Sequence, residues 1–222
     1  MPILYHYPLA PASRFVRLVM AEYKWDFELR VIVPWERNEG LLQLNPAGDL
    51  PVLDDVVRGV FCGSRAISEW VEETQEGAYL LDGSPQERAE IRRLIDWFDI
   101  KFTQEVGRPL FAERIIKRYL KGQAVSSDTI RTGLANAHIH FEYLNWLLGH
   151  HDCLAGDKIS LADLNAMAHI SVLDYCGDVN WDKYPDVKSW YMKMKSRPSF
   201  RPLLADRLVG MPPAKDYAEL DF

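Results

Sequence analysis

The sequence predicts a two-part fold, in which a small α/β domain precedes an all-helical domain. Short strand and helix patterns alternate over residues 1–75, whereas only helical patterns follow residue 87. A turn-rich stretch containing Gly77, Gly83 and Pro85 separates the two parts. We therefore divide the chain into four parts, which are an α/β domain (1–75), a linker (76–86), an all-helical domain (87–207) and an extended C-terminal tail (208–222).

The first domain has the pattern of a βαβ unit followed by a hairpin. In order, the predicted elements are a strand at 3–7, a helix at 12–23, a strand at 27–33, a hairpin at 50–53 with 56–62, and a helix at 64–73. A strand, helix and strand of these lengths predict a parallel pair with a right-handed crossover. Ser64 is expected to cap the last helix, because serine oxygen accepts well from the first free N–H groups of a helix.

The second domain begins with a long amphipathic helix from Glu87 to about Leu120. Gly107 and Pro109 are expected to bend or interrupt it. Further helices are predicted at 127–149, after Ser160, after Tyr184 and after Pro198. Ser160 and Asp163 have the spacing of a capping pair, to which we assign a folding role and no chemistry.

Composition excludes several classes of function. The chain has 222 residues and a net charge of −6, which disfavours general nucleic-acid binding. No apolar run approaches the roughly 18 residues that a membrane span needs. The three cysteines have no CxxC spacing and are expected to be free thiols in a reducing cytoplasm. The histidines are too scattered to predict a metal site.

Four segments together resemble motifs of the glutathione transferase superfamily, and they occur in that family's order. They are residues 11–17 (PASRFVR), 45–53 (NPAGDLPVL), 63–67 (GSRAI) and 160–163 (SLAD), the last followed by Trp190 and by 197–200 (RPSF). The resemblance covers residues 1 to about 206. It implies a glutathione transferase fold, with a thioredoxin-like N-terminal domain and a helical C-terminal domain, and a homodimer.

The resemblance also implies a site similar to that for glutathione at Leu50, Pro51, Ser64 and Arg65. The Leu50–Pro51 bond resembles the family's cis-proline, whose neighbouring backbone pairs with the cysteinyl part of the ligand. Ser64 begins a helix, where N–H groups favour an anion such as a carboxylate. Gly63 departs from the family, because it replaces an acidic or amide side chain that would meet the ligand's ammonium group.

The catalytic group expected of a transferase is missing from its usual position. A thiol with a pKa near 8.5 is mostly protonated at neutral pH, so the enzyme must stabilise the thiolate. Alignment of the first helix with the family puts Ala10 where a serine or cysteine would stand, and a methyl group cannot donate to sulfur. Tyr7 is the remaining candidate donor. The alternative for Tyr7 is a half-buried strand aromatic, since tyrosine favours strands.

Three surface features point to a protein partner. Trp35 and Arg37 lie in the loop after the second strand, and both residue types are enriched at interface hot spots. The tail places Tyr217 and Phe222 among acids that include Asp221. A basic stretch sets five cations against Glu113, and these cations are Arg108, Arg114, Lys117, Arg118 and Lys121. For each feature the alternative is structural: a tryptophan packed on its own domain, a tail wrapped back on the chain, and a solvated helix face.

Trp35, the vacant position at Ala10 and the acidic aromatic tail resemble one branch of the superfamily, which binds the tubulin homologue FtsZ in bacterial cell division. The resemblance implies a non-catalytic cytoplasmic protein that is recruited to the division site and binds FtsZ or another division protein without a cofactor. The protein-binding residues are then Trp35, Arg37, Arg114, Lys117, Arg118, Asp221 and Phe222. The alternative is an active glutathione S-transferase that uses Tyr7 to stabilise the glutathione thiolate. A third possibility, a glutathione-dependent isomerase, lacks the Ser-Cys cluster it would need at Ala10 to Ala12.

Overall fold

The computed structural model describes residues 1–77, 79–120 and 122–220 and confirms the predicted fold class. A four-stranded mixed sheet with three helices forms the N-terminal domain, and the rest of the described chain is mainly helical. The predicted extended tail instead folds back on the protein, as described below.

The sheet contains strands β1 (Ile3–His6), β2 (Glu28–Val31), β3 (Val52–Asp55) and β4 (Gly59–Cys62), arranged in the order β2-β1-β3-β4. Strand β1 pairs in parallel with β2, and Leu4 faces Leu29 in that register. On its other side β1 is antiparallel to β3, where Leu4 faces Leu53. The parallel pair and the β3–β4 hairpin agree with the βαβ-plus-hairpin prediction.

Three helices complete this domain: α1 (Pro11–Glu22), α2 (Glu39–Leu44) and α3 (Ser64–Thr74). Helix α1 connects the parallel strands and buries Phe15, Val16 and Val19 in the main core. Every residue from Ser13 to Met20 is buried, because α1 packs against α3 of its own domain and against the second domain.

The second domain begins with a helical segment that runs without a break over 85–119. It consists of α4 (Pro85–Asp96), a π-helical stretch (Trp97–Gly107), α5 (Arg108–Phe111), a π-helical turn (Ala112–Ile116) and α6 (Lys117–Tyr119). The expected interruption at Gly107 and Pro109 is wrong. Gly107 has helical angles, and Pro109 lies where the π-helical stretch passes into α5, so the chain stays helical although proline offers no N–H to the preceding turn.

The remaining helices are α7 (Ser127–Leu148), α8 (Leu161–Cys176), α9 (Pro185–Lys195) and α10 (Arg201–Leu204). Helix α8 is buried along nearly its whole length and packs directly against α1. The predicted capping pair is present at its start. The Asp163 carboxylate accepts from the backbone N–H and hydroxyl of Ser160, both at 2.9 Å.

The last described residues, 208–220, fold back onto the protein. Met211 and Tyr217 are buried in a second apolar cluster together with Tyr7, Leu9 and Tyr175. Tyr217 is therefore not available as a free anchor for a partner, which corrects the expectation for this part of the tail. Asp221 and Phe222, the other residues singled out there, lie outside the described residues.

Arg14 joins the two domains and the tail from a fully buried position in α1. Its guanidinium donates to Ser171 Oγ at 2.7 Å and Tyr217 Oη at 3.0 Å, and it pairs with Asp206 at 3.2 Å. Each of these partners comes from the second domain or the tail, so the domains pack as one body around this cation.

Across the described ranges, no helix has the length and apolar character that crossing a membrane requires.

Candidate functional site

A cleft of about 670 Å³ lies between the two domains. The N-terminal domain supplies its wall at the start of α1 and at the loops before β3 and α3. The long helical segment and α8 supply the opposite wall, which is mainly apolar and includes Phe102, Phe111, Val172 and Leu173. The cleft is therefore formed jointly by the two domains that the sequence motifs predicted.

Leu50 and Ser64 both line this cleft, as the resemblance implied. The Leu50–Pro51 bond is cis, and the buried Pro51 accepts the Gly63 N–H on its carbonyl at 3.0 Å. Ser64 is the first residue of α3 and not its cap. Gly63 occupies the capping position with φ +89°, a conformation that glycine adopts far more readily than serine. The expectation that Ser64 caps α3 is thus wrong.

Arg65 interacts with other charged residues of the chain. Its guanidinium forms an ion pair with Asp96 on α4 and lies 3.5 Å from Glu69 one turn along α3. These carboxylates neutralise the cation and join α3 to α4. Its position in the structure therefore assigns Arg65 a role in joining the domains.

Ala10, which the resemblance places at the thiolate-stabilising position, lines the cleft and offers it only a methyl group. Tyr7 lies behind it in the second apolar cluster, with Trp35 and Phe111 against its ring at 5.2 and 6.2 Å between centroids. Among the described residues, those that line the cleft do not include Tyr7. Burial raises the pKa of Tyr7, so its phenol stays protonated and could donate a hydrogen bond. Its contacts, however, are those of a packing group.

Cys176 is a thiol on the cleft wall that the sequence reasoning did not single out. Burial, with a further contribution from Asp178, raises its pKa to about 12. The thiol is therefore protonated at neutral pH and a poor nucleophile, since reactivity belongs to the thiolate.

A polar group at the deeper wall was also missed. The Asp99 carboxylate accepts from Asn165 Nδ2 at 3.0 Å and lies 3.3 Å from His169 Nε2. Asn165 and His169 are nearly fully buried on α8, four residues apart and hence on one helix face. The available signal was the i, i+4 spacing of these two polar residues in a helix rich in apolar residues. The pair holds Asp99 in a fixed position at the cleft.

Trp35 is partly buried at the mouth of the domain interface, between two tyrosine rings. Tyr119 stacks on it at 5.5 Å with 24° between the ring planes, and Tyr7 meets it edge-on. Arg37, two residues further on, is exposed and pairs with Glu39 at 2.6 Å. Trp35 therefore packs against other residues of the chain with part of its ring, and the rest of the ring is accessible to a partner.

The basic stretch is less charged in the structure than in the sequence. Arg114 pairs with Asp178, a buried carboxylate more than 60 residues away, and Lys117 pairs with Glu113 at 2.8 Å. Arg118 is exposed, although its Nε donates to the carbonyl of Arg114 at 3.0 Å. Lys121 lies outside the described residues. The positive charge expected from the sequence for this face is therefore larger than the charge that a partner would meet.

Across 1–77, 79–120 and 122–220, no group of three or more His, Cys, Asp or Glu side chains is placed to hold a metal ion.

Comparison with known proteins defines the class. Residues 4–79 match the family model for the N-terminal domain of glutathione S-transferase, and residues 132–207 match that for its C-terminal domain. The chain therefore belongs to the glutathione S-transferase family, as its motifs indicated.

Within that family, the chain is 46% identical to FtsZ-localized protein A of Caulobacter vibrioides over 222 residues, which covers 99% of this chain and 97% of the relative. A solved structure described as FzlA from C. crescentus superposes with a TM-score of 0.96 at 46% identity and covers 100% of this chain and 99% of that one. A glutathione S-transferase from Sinorhizobium meliloti superposes equally well, at 49% identity over the full length of both chains.

Proposed function

We propose that this protein is a non-catalytic member of the glutathione S-transferase family that associates with FtsZ in bacterial cell division. It acts in the cytoplasm and is recruited to the division site by that association. The observation that carries the proposal is the 46% identity to FtsZ-localized protein A, which extends over both domains and the tail. A match confined to the N-terminal domain would support only the fold.

The contents of the cleft support the proposed lack of glutathione chemistry. Stabilising a glutathione thiolate requires a donor beside the sulfur, and Ala10 offers only a methyl group at that position. Tyr7 is engaged by Trp35 and Phe111 outside the cleft lining. Gly63 provides no side chain for the ligand's ammonium group. Leu50, Pro51 and Ser64 then serve the fold, since they shape the turn before β3 and the start of α3.

Trp35 is the centre of the proposed partner surface. It is a large aromatic side chain that is held in place by neighbouring rings and still reaches solvent, which is the character of a binding hot spot. Arg37 and Arg118 are exposed and belong to the rim of this surface. Arg114 and Lys117 contribute less, because carboxylates of the chain neutralise them. Asp221 and Phe222 remain candidate contacts.

Co-sedimentation with FtsZ polymers tests the association. Purified protein is mixed with Caulobacter vibrioides FtsZ and GTP, and the pellet is compared with a sample in which GDP prevents polymerisation. The protein should pellet only with polymer. Trp35→Ala should weaken binding, whereas Trp25→Ala should not, because Trp25 is a similarly half-buried tryptophan that packs on Trp70 away from the cleft. A wild-type protein that stays in the supernatant would refute the association.

The second candidate is an active glutathione S-transferase that uses Tyr7. The open cleft with Ser64 on its wall and a cis Leu50–Pro51 bond favours this reading. Calorimetric titration with glutathione separates the candidates. We expect no binding at millimolar glutathione and no conjugation activity. Clear binding, together with conjugation that is lost in Tyr7→Phe, would establish the enzyme instead.

We also propose that the protein is a homodimer that pairs through the outer face of α7. Ile139 and Trp146 are exposed on this face, and Tyr143 lies between them, with its ring centroid 4.7 Å from that of Trp97. Exposed apolar side chains in a continuous stripe are typical of a protein interface. Sedimentation equilibrium should report a dimer, and Ile139→Glu with Trp146→Glu should give a folded monomer. A monomeric wild type would contradict the proposal.

A further inference from the structure

The first residues of the tail form a tight turn. A hydrogen bond from Met211 N to the Leu208 carbonyl, at 3.2 Å, closes residues 208–211. Gly210 has φ +72°, the left-handed conformation that such a turn requires and that side chains disfavour. The Val209 side chain points to solvent and is 88% exposed.

A single buried hydroxyl holds both ends of this turn. Tyr175 on α8 donates through Oη to the Met211 carbonyl at 2.6 Å and accepts from Leu208 N at 3.1 Å. The Tyr175 carbonyl also accepts from Ala214 N at 2.8 Å, just after the turn. Because Tyr175 belongs to α8 and is fully buried in the second apolar cluster, the turn has a fixed position relative to the domain.

The turn that Tyr175 fixes also contacts and holds Tyr119. The Tyr119 hydroxyl donates to the Val209 carbonyl at 2.8 Å. The same ring stacks on Trp35, which also meets Tyr7 edge-on. A continuous series of contacts therefore runs from the core at Tyr175, through the tail turn and Tyr119, to the partly exposed ring of Trp35.

We propose that the turn at 208–211 is a positioning element for partner binding, which holds Tyr119, and through it Trp35, in the orientation that FtsZ recognises. This inference rests on the proposed function. The tail is then required for binding even where it makes no contact with the partner. An unsupported Trp35 ring would have to be ordered on binding, and the entropic cost of ordering it would weaken the complex.

Two variants disturb the series without opening the core. Tyr119→Phe keeps the ring that stacks on Trp35 and removes only the hydroxyl that reaches Val209. Gly210→Ala strains the turn, and its added Cβ would meet nothing within 4 Å, so no other contact is disturbed. Gly156→Ala is the matched control. It also substitutes a positive-φ glycine with open space around it, in a bridged turn outside the Trp35 contacts.

The indole N–H resonance of Trp35, assigned by its loss in Trp35→Phe, reports the position of the ring in solution. We expect Tyr119→Phe and Gly210→Ala to shift or broaden this resonance and each to weaken co-sedimentation with polymerised FtsZ by about fivefold, the effect of one lost hydrogen bond. Gly156→Ala should change neither quantity.

An unmoved Trp35 resonance in both variants would overturn the proposal, and so would a shifted resonance with wild-type affinity for FtsZ. If the wild-type protein itself fails to sediment with FtsZ, the proposed function is wrong. The resonance then still decides whether the turn positions Trp35, so the two failures are distinguishable.

Discussion

Replacing Tyr217 tests whether the tail is a folded part of the protein. Its ring is fully buried, lies 5.1 Å from that of Tyr175, and has Arg14 and Lys195 over it at 6.0 and 5.5 Å. Its hydroxyl accepts from Arg14 and donates to the Leu203 carbonyl at 3.1 Å. Tyr217→Ala removes all of these contacts, whereas Tyr217→Phe removes only those of the hydroxyl.

The two substitutions should differ in magnitude. Truncating a buried aromatic ring to alanine costs about 3–5 kcal/mol, and the lost hydroxyl adds about 1 kcal/mol. For a chain of this size, 1 kcal/mol lowers the melting temperature by about 2–4 °C. We therefore expect Tyr217→Ala to lower the melting temperature by about 8–24 °C and Tyr217→Phe by about 2–4 °C.

Differential scanning calorimetry at one protein concentration measures both shifts, with Val209→Ala as the control. Val209 belongs to the same tail but is 88% exposed, so its truncation should change the melting temperature by less than about 2 °C. If Tyr217→Ala melts within about 2 °C of wild type, the tail is not docked in solution and the reasoning from its burial is refuted.

Three further predictions concern other parts of the molecule. Trp35→Ala removes two aromatic contacts of about 0.5–1.5 kcal/mol each, so it should lower the melting temperature by about 2–12 °C and weaken FtsZ binding at least tenfold; unchanged binding would exclude Trp35 from the partner surface. Asp163→Ala leaves several buried N–H donors without an acceptor and should cost about 3–5 kcal/mol in urea unfolding, a result that an unchanged midpoint would contradict. Burial acts to raise the pKa of Glu22, but hydrogen bonds from Arg197 and Ser199 outweigh it and hold that pKa below its usual range. The carboxylate therefore stabilises the fold above its unfolded pKa, and this contribution is lost as the pH falls through the lower folded value. Wild type should exceed Glu22→Gln in stability at pH 7, with the difference vanishing in acid; a difference independent of pH would be inconsistent with this ion pair.

Local patterns were sufficient for most of the fold. The βαβ unit, the hairpin and the capping pair at Ser160 and Asp163 each depend on residues close together in sequence, so their periodicity and turn chemistry predicted them. Gly107 is an exception to this success of local patterns. Glycine disfavours a helix, but the packing of the long helical segment keeps Gly107 helical.

The candidate site was predicted only in part. Leu50, Ser64 and Ala10 line the cleft as their motifs implied, since the family's turn and helix start place them there. Arg65 and Arg114 could not be placed in the same way. A cation on a predicted helix surface can be neutralised by a carboxylate that is distant in sequence. For Arg114 this carboxylate is that of Asp178.

The sequence by itself determined the fold class, the family and the absence of a hydroxyl or thiol at Ala10, because each of these depends on residue identity and short-range spacing. Tertiary structure alone decided that Tyr7 is a packing group, that Tyr217 is a buried anchor, and that the tail turn reaches Trp35 through Tyr119. These contacts join residues that are between 28 and 203 positions apart. No local preference encodes such pairs, because they form only when distant parts of the chain pack together.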